Sequence, residues 1–540
     1  MLVTSQDKPP AGYRLTAAEV ERIAAQAPRI RDELRRHPRL LPYEYTKGPG
    51  RWQVSWFTPG ATEKEMAQVY VDDASGRATE AWTGFQVAWT MARGYPGAFG
   101  RRVNALYVWL PMCVLFIAPF FPWRRRPSSL HLDLLMLLGF SISLAFFNHA
   151  EIGLSVPLAY PFLLYLLVRM LLLAFGRGRP REPLRLWVPV SWLAIAVVFL
   201  IGFRVGLNVA NSNVIDVGYA GVIGADKVLH GKPLYGGWPR DNAQGDTYGP
   251  VNYYAYVPFR AVFGWSGIWN DLPAAHAAAI AFDLLTLLGL YFLGRRIRGP
   301  TMGITLAYAW SAYPFTLYAL TSNSNDTLVA LLVVLALLVI GSAPARGVIG
   351  ALAGLTKFAP LALAPLLARG AGDWPRRRSL LAFAACFIGT TVVVMLPVLA
   401  GGNFHAFWRD TIAYQSGRGS PFSVWGLWGG LSIEQHLVQG AAVALGIAVA
   451  FVPRRRGVIE VAALGAAVLI ALQLGITHWF YLYIPWFFPL VIVALIGAHP
   501  EPALDAPERV PRPTSRRAPA RAPARSHQPA SAGLLSPGPR

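Results

Sequence analysis

Cysteine is nearly absent from this chain, and carboxylate and charge of any kind are scarce. Two cysteines, Cys113 and Cys386, occur in 540 residues, and both fall inside apolar runs. Neither a disulfide framework nor a thiolate metal site can be built from that pair. Charged residues make up 14% of the sequence, where an average soluble protein carries about a quarter. Hydrophobic residues make up 54%, and the mean hydropathy is +0.39. The deficit falls hardest on acid, since 28 Asp and Glu face 49 Lys and Arg, a net charge of +21. Such an excess would suit nucleic acid, but the Lys and Arg residues sit mostly in short clusters between apolar runs. That is the pattern of cytoplasmic turns in a multi-pass membrane protein. No signal peptide is expected at the start of the chain.

What is present in abundance is apolar helix. From residue 104 onward, candidate segments cover 105–122, 130–147, 152–175, 186–207, 273–293, 302–320, 327–340, 348–367, 380–399, 433–451, 458–474 and 479–496. Several are shorter than the ~20 residues that cross a bilayer comfortably. The expectation is therefore a mainly α, polytopic helix bundle of about eleven or twelve segments, some tilted or incomplete. Basic turns at 177–185, 295–298, 376–378 and 454–456 are assigned to the cytoplasm. The polar links 208–271, 322–326, 401–431 and 475–478 then fall on the outer side. One segment resists this alternation, because Arg346 and Arg376–Arg378 both favour the cytoplasm yet flank a single run at 348–367. LTKFAP in the middle of that run interrupts a helix. A re-entrant pair of half-helices resolves the conflict and carries Lys357 toward the outer face, lining a cavity.

The first hundred residues form a separate unit. Residues 16–36 have helical apolar spacing, and RWQVSWF and MAQVYVD are alternating runs joined by a Pro-Gly turn. The tip VDDASGRATEAW, after helix and hairpin, resembles the small PepSY-type α/β module. It has no nucleophile-plus-base arrangement, so an accessory, non-catalytic domain is expected. Counting spans back from 177–185 puts it outside; otherwise two of the first three segments do not fully cross. The division expected is a small α/β domain at 1–103, accessory transmembrane helices at 104–176, and a transmembrane core at 186–498 with an outer loop at 208–271. Residues 499–540, rich in Pro, Ala, Arg and Ser, read as a disordered basic tail on the cytoplasmic side.

The outer loop is the stretch around which the rest is organised. It is polar, rich in Gly and Tyr, and carries Asp216, Asp226, Asp241 and Asp246. Residues 216–230 have helical spacing, and 248–259 read as an aromatic segment along a membrane interface. If the outer links converge, they gather Asp216, Asp226, Asp246, Asn323, Asn325, Asp326, Arg418, Ser420 and His478, with Lys357 beneath. A carboxylate can take a proton from an attacking hydroxyl. Arg and Lys can hold a phosphate oxyanion as it leaves. Each residue also has a structural role open to it. Asp216 and Asp326 can cap the helices they precede, His478 can sit in the interface beside Trp479–Tyr483, and Lys357 can snorkel. Asp226 and Lys227 suit a solvated face, Asp246 and Tyr248 can shape the loop, and Asp133 and Asp283 can pair near basic turns.

The ordered motifs IDVGYAGVIGADKVLHGKPLYG, TYGPVNYYAYVPF, TSNSNDTLVALLVV, GLTKFAPLALAPLL, QSGRGSPFSVWGLWG and THWFYLYIPWF span 215–487. Together they resemble the GT-C superfamily of integral-membrane glycosyltransferases, in particular the bacterial polyprenyl-phosphomannose-dependent mannosyltransferases. The resemblance implies an inverting transferase that moves a hexose, mannose by likeness, from a polyprenyl-phosphate donor to a lipid or glycan acceptor. The setting implied is the outer face of a bacterial plasma membrane. It also implies Asp216 as general base, with Arg418, His478 and Lys357 on the donor phosphate. Asp246, Tyr248, Asn325, Asp326, Ser420 and Trp425 would line the substrate cavity. Asp216 is followed by Val217 and Gly218 rather than a second acid, so a single base and no bound metal is expected. The competing classes are a lipid or glycan flippase, which should show interrupted helices in matching halves, and a non-catalytic membrane protein.

Overall fold

The computed structural model describes residues 1–60, 63–94, 99–121, 128–269 and 272–500. The basic stretch 124–126 and the tail beyond residue 500 lie outside them.

The N-terminal unit is a four-stranded antiparallel meander, β1 Leu41–Thr46, β2 Arg51–Phe57, β3 Glu65–Asp72 and β4 Arg77–Thr83, in that spatial order. Two helices cover it where one was expected, because Pro28 starts a second helix, Pro28–Arg36, after Ala17–Ala25. Ala17, Val20, Ala24 and Ile30 pack on Trp52, Trp56, Val69 and Val71, a core separate from that of the membrane helices. The unexpected strand β1 carries Pro42, Glu44 and Tyr45 rather than a clean apolar alternation.

All twelve expected segments have helical counterparts. Among the described residues, six helices are long and apolar enough to cross a membrane: Ser129–Asn148, Ile152–Ala174, Val190–Ala210, Pro273–Ala312, Arg377–Ala400 and Val458–Gly475. Shorter apolar helices fill the remainder, among them Leu106–Phe120, Asp326–Leu338 and Tyr481–Gly497. The 40-residue run Pro273–Ala312 is two helices, since Arg298 and Gly299 leave helical geometry and Gly299 takes a φ of 79°. That is the basic turn expected at 295–298. Val458–Gly475 and Ile484–Gly497 are buried along almost their whole length, whereas Val190–Ala210 and Arg377–Ala400 expose most of theirs, as lipid-facing helices do.

The re-entrant pair is present. Ala343–Gly354 runs in, the chain breaks at 355–358, and short helical turns Ala359–Leu363 and Ala364–Arg369 run back. The two mouths are tied together by Arg346, whose Nε donates to Leu367 O at 2.6 Å.

Charge separates the two ends of the bundle. At one end Arg179 pairs with Glu460, Arg298 donates to the carbonyls of Gly497 and His499, and Arg369 donates to Arg454 O. At the other end lie the polar links and the N-terminal unit. Gly100 N donates to Asn213 Oδ1 at 2.9 Å, and Gln86 Nε2 donates to Ala150 O at 3.1 Å. The N-terminal unit therefore shares an end of the bundle with the polar links.

Two intramembrane carboxylates are satisfied by arginines inside apolar helices, not by the basic turns expected. Arg169 Nε reaches both oxygens of Asp133 at 2.9 and 3.0 Å. Asp283 takes Arg204 at 2.5 Å and Trp310 Nε1 at 3.0 Å. A buried charge needs such a partner in a low-dielectric setting.

Candidate active site

Asp216 opens the helix Asp216–Leu229, whose N-cap is Ile215 and whose first turn has no side-chain cap. The capping role open to Asp216 is thus not taken. Instead, the strand-like approach to this helix is fixed on the SNSN segment, with Asn213 N on Thr321 O and Ile215 N on Ser322 O, both at 3.2 Å. Asn323 holds a φ of 49° there, and its side chain donates to Ser212 Oγ and Asn213 O. A Cβ on Gly218 would overlap the Asn323 carbonyl oxygen. Farther along, Gly221 and Gly224 accept the rings of Tyr256 and Tyr253, again with no room for a Cβ. Tyr253 and Tyr256 are consequently fully buried against this helix.

Asp216 is solvent-exposed, yet protein crowds its carboxylate enough to raise its pKa above the ordinary carboxylate value. Its charged neighbours are Asp326, Arg418 and Lys357. Burial is the main cause of the rise, and the negative charge of Asp326 adds to it. The Val217 N–H, Arg418 and Lys357 oppose it. The charge of Asp216 is also felt at Tyr248 and Tyr483, so these groups share one site.

Lys357 stands at the break of the re-entrant pair. The TYGP turn packs onto this break, with Gly249 N on Thr356 O and Val251 N on Leu355 O. Lys357 Nζ lies 2.5 Å from Asp326 Oδ1, which also accepts Trp486 Nε1 at 2.8 Å. The rings of Tyr248, Tyr483 and Trp486 stand 5.0 to 5.6 Å from the ammonium. Asp326 therefore holds Lys357 rather than capping its helix. Asp326 and Asn325 are buried behind the site, with Asn325 Nδ2 donating to Asn252 Oδ1 at 2.6 Å.

Arg418 and His478 close the opposite wall. Ser420 Oγ and His478 Nδ1 are 2.8 Å apart, and Trp425 Nε1 anchors the same loop to Leu474 O at 2.7 Å. Burial, with Arg418 and Lys357 nearby, lowers the pKa of His478 well below its usual value. The shift favours its neutral, hydrogen-bonding form. The Arg418 guanidinium has no ion pair among the described residues, and its Nε is buried without a hydrogen bond.

Other expected residues lie apart from this cluster. Asp246 receives Gly236 N at 2.8 Å, and its charged neighbours are Asp410 and Lys227, so it frames the loop. Asp226 and Lys227 are not on a solvated face. Asp226 takes Arg260 at 2.8 Å, and Lys227 donates to the carbonyls of Pro233 and Gly236. Sequence reasoning missed Trp89, from the N-terminal unit, whose ring lies 5.7 Å from that of His478 and 5.6 Å from the Arg418 guanidinium carbon. No local pattern in AWTMARG marks it.

Residues 247–491 match the model of Glycosyltransferase family 87. The matched stretch contains Lys357, Arg418 and His478 and begins after Asp216. With the apolar helices, it supports a multi-pass membrane glycosyltransferase. No curated protein and no solved structure matches the chain.

Proposed function

We propose that the protein transfers a hexose, mannose by likeness to the mannosyltransferases named above, from a polyprenyl phosphate to a lipid or glycan hydroxyl. The setting is the outer face of a bacterial plasma membrane. The observation that carries this reading is one site holding an accessible carboxylate of raised pKa and an arginine that, among the described residues, makes no direct ion pair and leaves its Nε without a hydrogen bond. A base and an anion holder facing one cavity are what direct displacement at a glycosyl phosphate requires.

In this reading the acceptor hydroxyl oxygen bonds to the anomeric carbon as Asp216 takes its proton. The bond from that carbon to the phosphate oxygen breaks, and its electron pair leaves with the polyprenyl phosphate. One displacement inverts the anomeric centre. Arg418, as a planar fork, meets the charge that grows on the leaving phosphate. Lys357 adds a second positive charge across the cavity, and His478, fixed by Ser420, contributes a directed hydrogen bond. Asp216 alone serves as base, and no metal is assigned to the reaction. The N-terminal unit, PepSY-like in outline, brings no base or nucleophile of its own.

The test is transfer from radiolabelled polyprenyl-phosphate mannose in membranes containing the protein. Asp216→Asn keeps the shape and removes the basicity, and should lower turnover by about 100-fold or more. Near-normal turnover with a normally folded variant would remove Asp216 from the mechanism.

A further inference from the structure

Trp89 carries the N-terminal unit to the candidate site. Trp89 lies between the short helix Phe85–Ala88 and the helical turn Thr90–Arg93. That corner is stapled from two sides. Arg93 donates to Gln86 O, Val87 O and, at 2.8 Å, Gln68 Oε1 on β3, while Gln86 Nε2 donates to Ala92 O and to Ala150 O. The Trp89 ring is thereby fixed to the sheet of its own unit and to the turn joining two membrane helices.

From this corner it meets three groups of the opposite wall. Its ring meets Phe422 edge-on at 5.3 Å, lies 33° from the plane of His478 at 5.7 Å, and has the Arg418 guanidinium over it at 5.6 Å. Tyr414 stands 6.0 Å from the same guanidinium. A guanidinium within about 6 Å of an aromatic face is attracted to it without using any of its N–H donors. Among the described residues no carboxylate lies in direct ion-pair contact with Arg418 and its Nε has no hydrogen bond, so these rings orient it and leave its donors open to an anion.

We propose that Trp89 is a positioning residue of the donor site: it sets the Arg418 fork and the His478 ring toward the phosphate. The N-terminal unit is then a wall of the catalytic cavity and not an appendage. This inference rests on the reading of Arg418 as the donor-phosphate contact.

A double-mutant cycle tests it, with donor KM and turnover measured for Trp89→Ala, Trp89→Phe, Trp89→Leu, Arg418→Ala and the pair Trp89→Ala/Arg418→Ala. Folding of each variant is followed by thermal unfolding in detergent. Trp89→Ala and Trp89→Leu should each raise donor KM about tenfold, the scale of one partly desolvated cation–π contact. Acceptor KM should stay unchanged. Trp89→Phe should recover most of the loss because it keeps an aromatic face. The paired variant should be no worse than Arg418→Ala, since the two residues act through one contact. The inference is overturned if Trp89→Ala leaves donor KM unchanged, if Leu serves as well as Phe, or if the two losses multiply. If Arg418→Ala itself leaves donor KM unchanged, the phosphate assignment falls first and takes this inference with it.

Discussion

Gly218→Ala is the most direct test of how the Asp216 helix is seated. The glycine has ordinary helical geometry, so its replacement brings no backbone strain; the cost is contact. A methyl there overlaps the Asn323 carbonyl oxygen and comes 2.9 Å from Val214 Cγ1. Both neighbours are held, Asn323 by its own hydrogen bonds to Ser212 and Asn213, and the approach strand by its bonds to residues 321 and 322. To reach ordinary contact near 3.4 Å, the first turn must lift by about an ångström, and Asp216 moves with it. A misplacement of that size costs roughly 100-fold in rate, or about 2.7 kcal/mol of transition-state stabilisation at 1.36 kcal/mol per tenfold. Overpacking should also remove about 1–3 kcal/mol of stability. Gly202→Ala, at a glycine with open space around it, is the control. Initial rates of labelled sugar transfer, read beside thermal unfolding in detergent, separate the two effects. A Gly218→Ala variant that transfers sugar at the rate of Gly202→Ala would refute the argument that this contact sets the base.

Arg418→Lys should lose far more activity than Lys232→Arg, with both a higher donor KM and slower turnover, because Lys lacks the planar fork; equal losses would place the phosphate elsewhere. The raised pKa of Asp216 sets the acid limb of the rate profile. Below that pKa the carboxylate is protonated and cannot accept the acceptor's proton, so rate should fall as pH drops through a value above the usual carboxylate near 4. An acid limb at or below 4 would contradict the crowding seen around Asp216. Lys357→Met strands the buried Asp326 charge and should cost about 3–5 kcal/mol in stability, measured by thermal unfolding. Adding Asp326→Asn should restore the stability but not the transfer, if Lys357 serves the phosphate.

Much of this architecture was legible because each feature left a strong local mark. Twelve apolar runs became helices, and the conflict between Arg346 and Arg376–Arg378 across a Pro-interrupted run led to the re-entrant pair and to Lys357. Other features arise only between distant segments. Arg169 and Arg204 are single charges in apolar helices, and their partners sit 36 and 79 residues away. Asp226 and Lys227 read as a surface pair because helical spacing shows where a face lies but not what covers it. Arg260 and the carbonyls of Pro233 and Gly236 cover it here. The packing of Tyr253 and Tyr256 on Gly224 and Gly221 is likewise a contact between separate segments that spacing alone does not reveal. Trp89 was hidden for the same reason, since its neighbours Phe422 and His478 lie more than three hundred residues along the chain.

The three glycines on one face of the Asp216 helix set its thermal character as well as its shape. Each lowers intrinsic helicity by about 1 kcal/mol relative to alanine, so a 14-residue helix bearing them at 218, 221 and 224 is helical by contact and not by propensity. Its order is supplied by Asn323, Tyr256 and Tyr253. When those contacts loosen, the helix has little of its own to hold it, while Val458–Gly475 and Ile484–Gly497 stay packed within the bundle. Warming should therefore silence the protein before it melts, with activity lost at a temperature where most of its helix content remains.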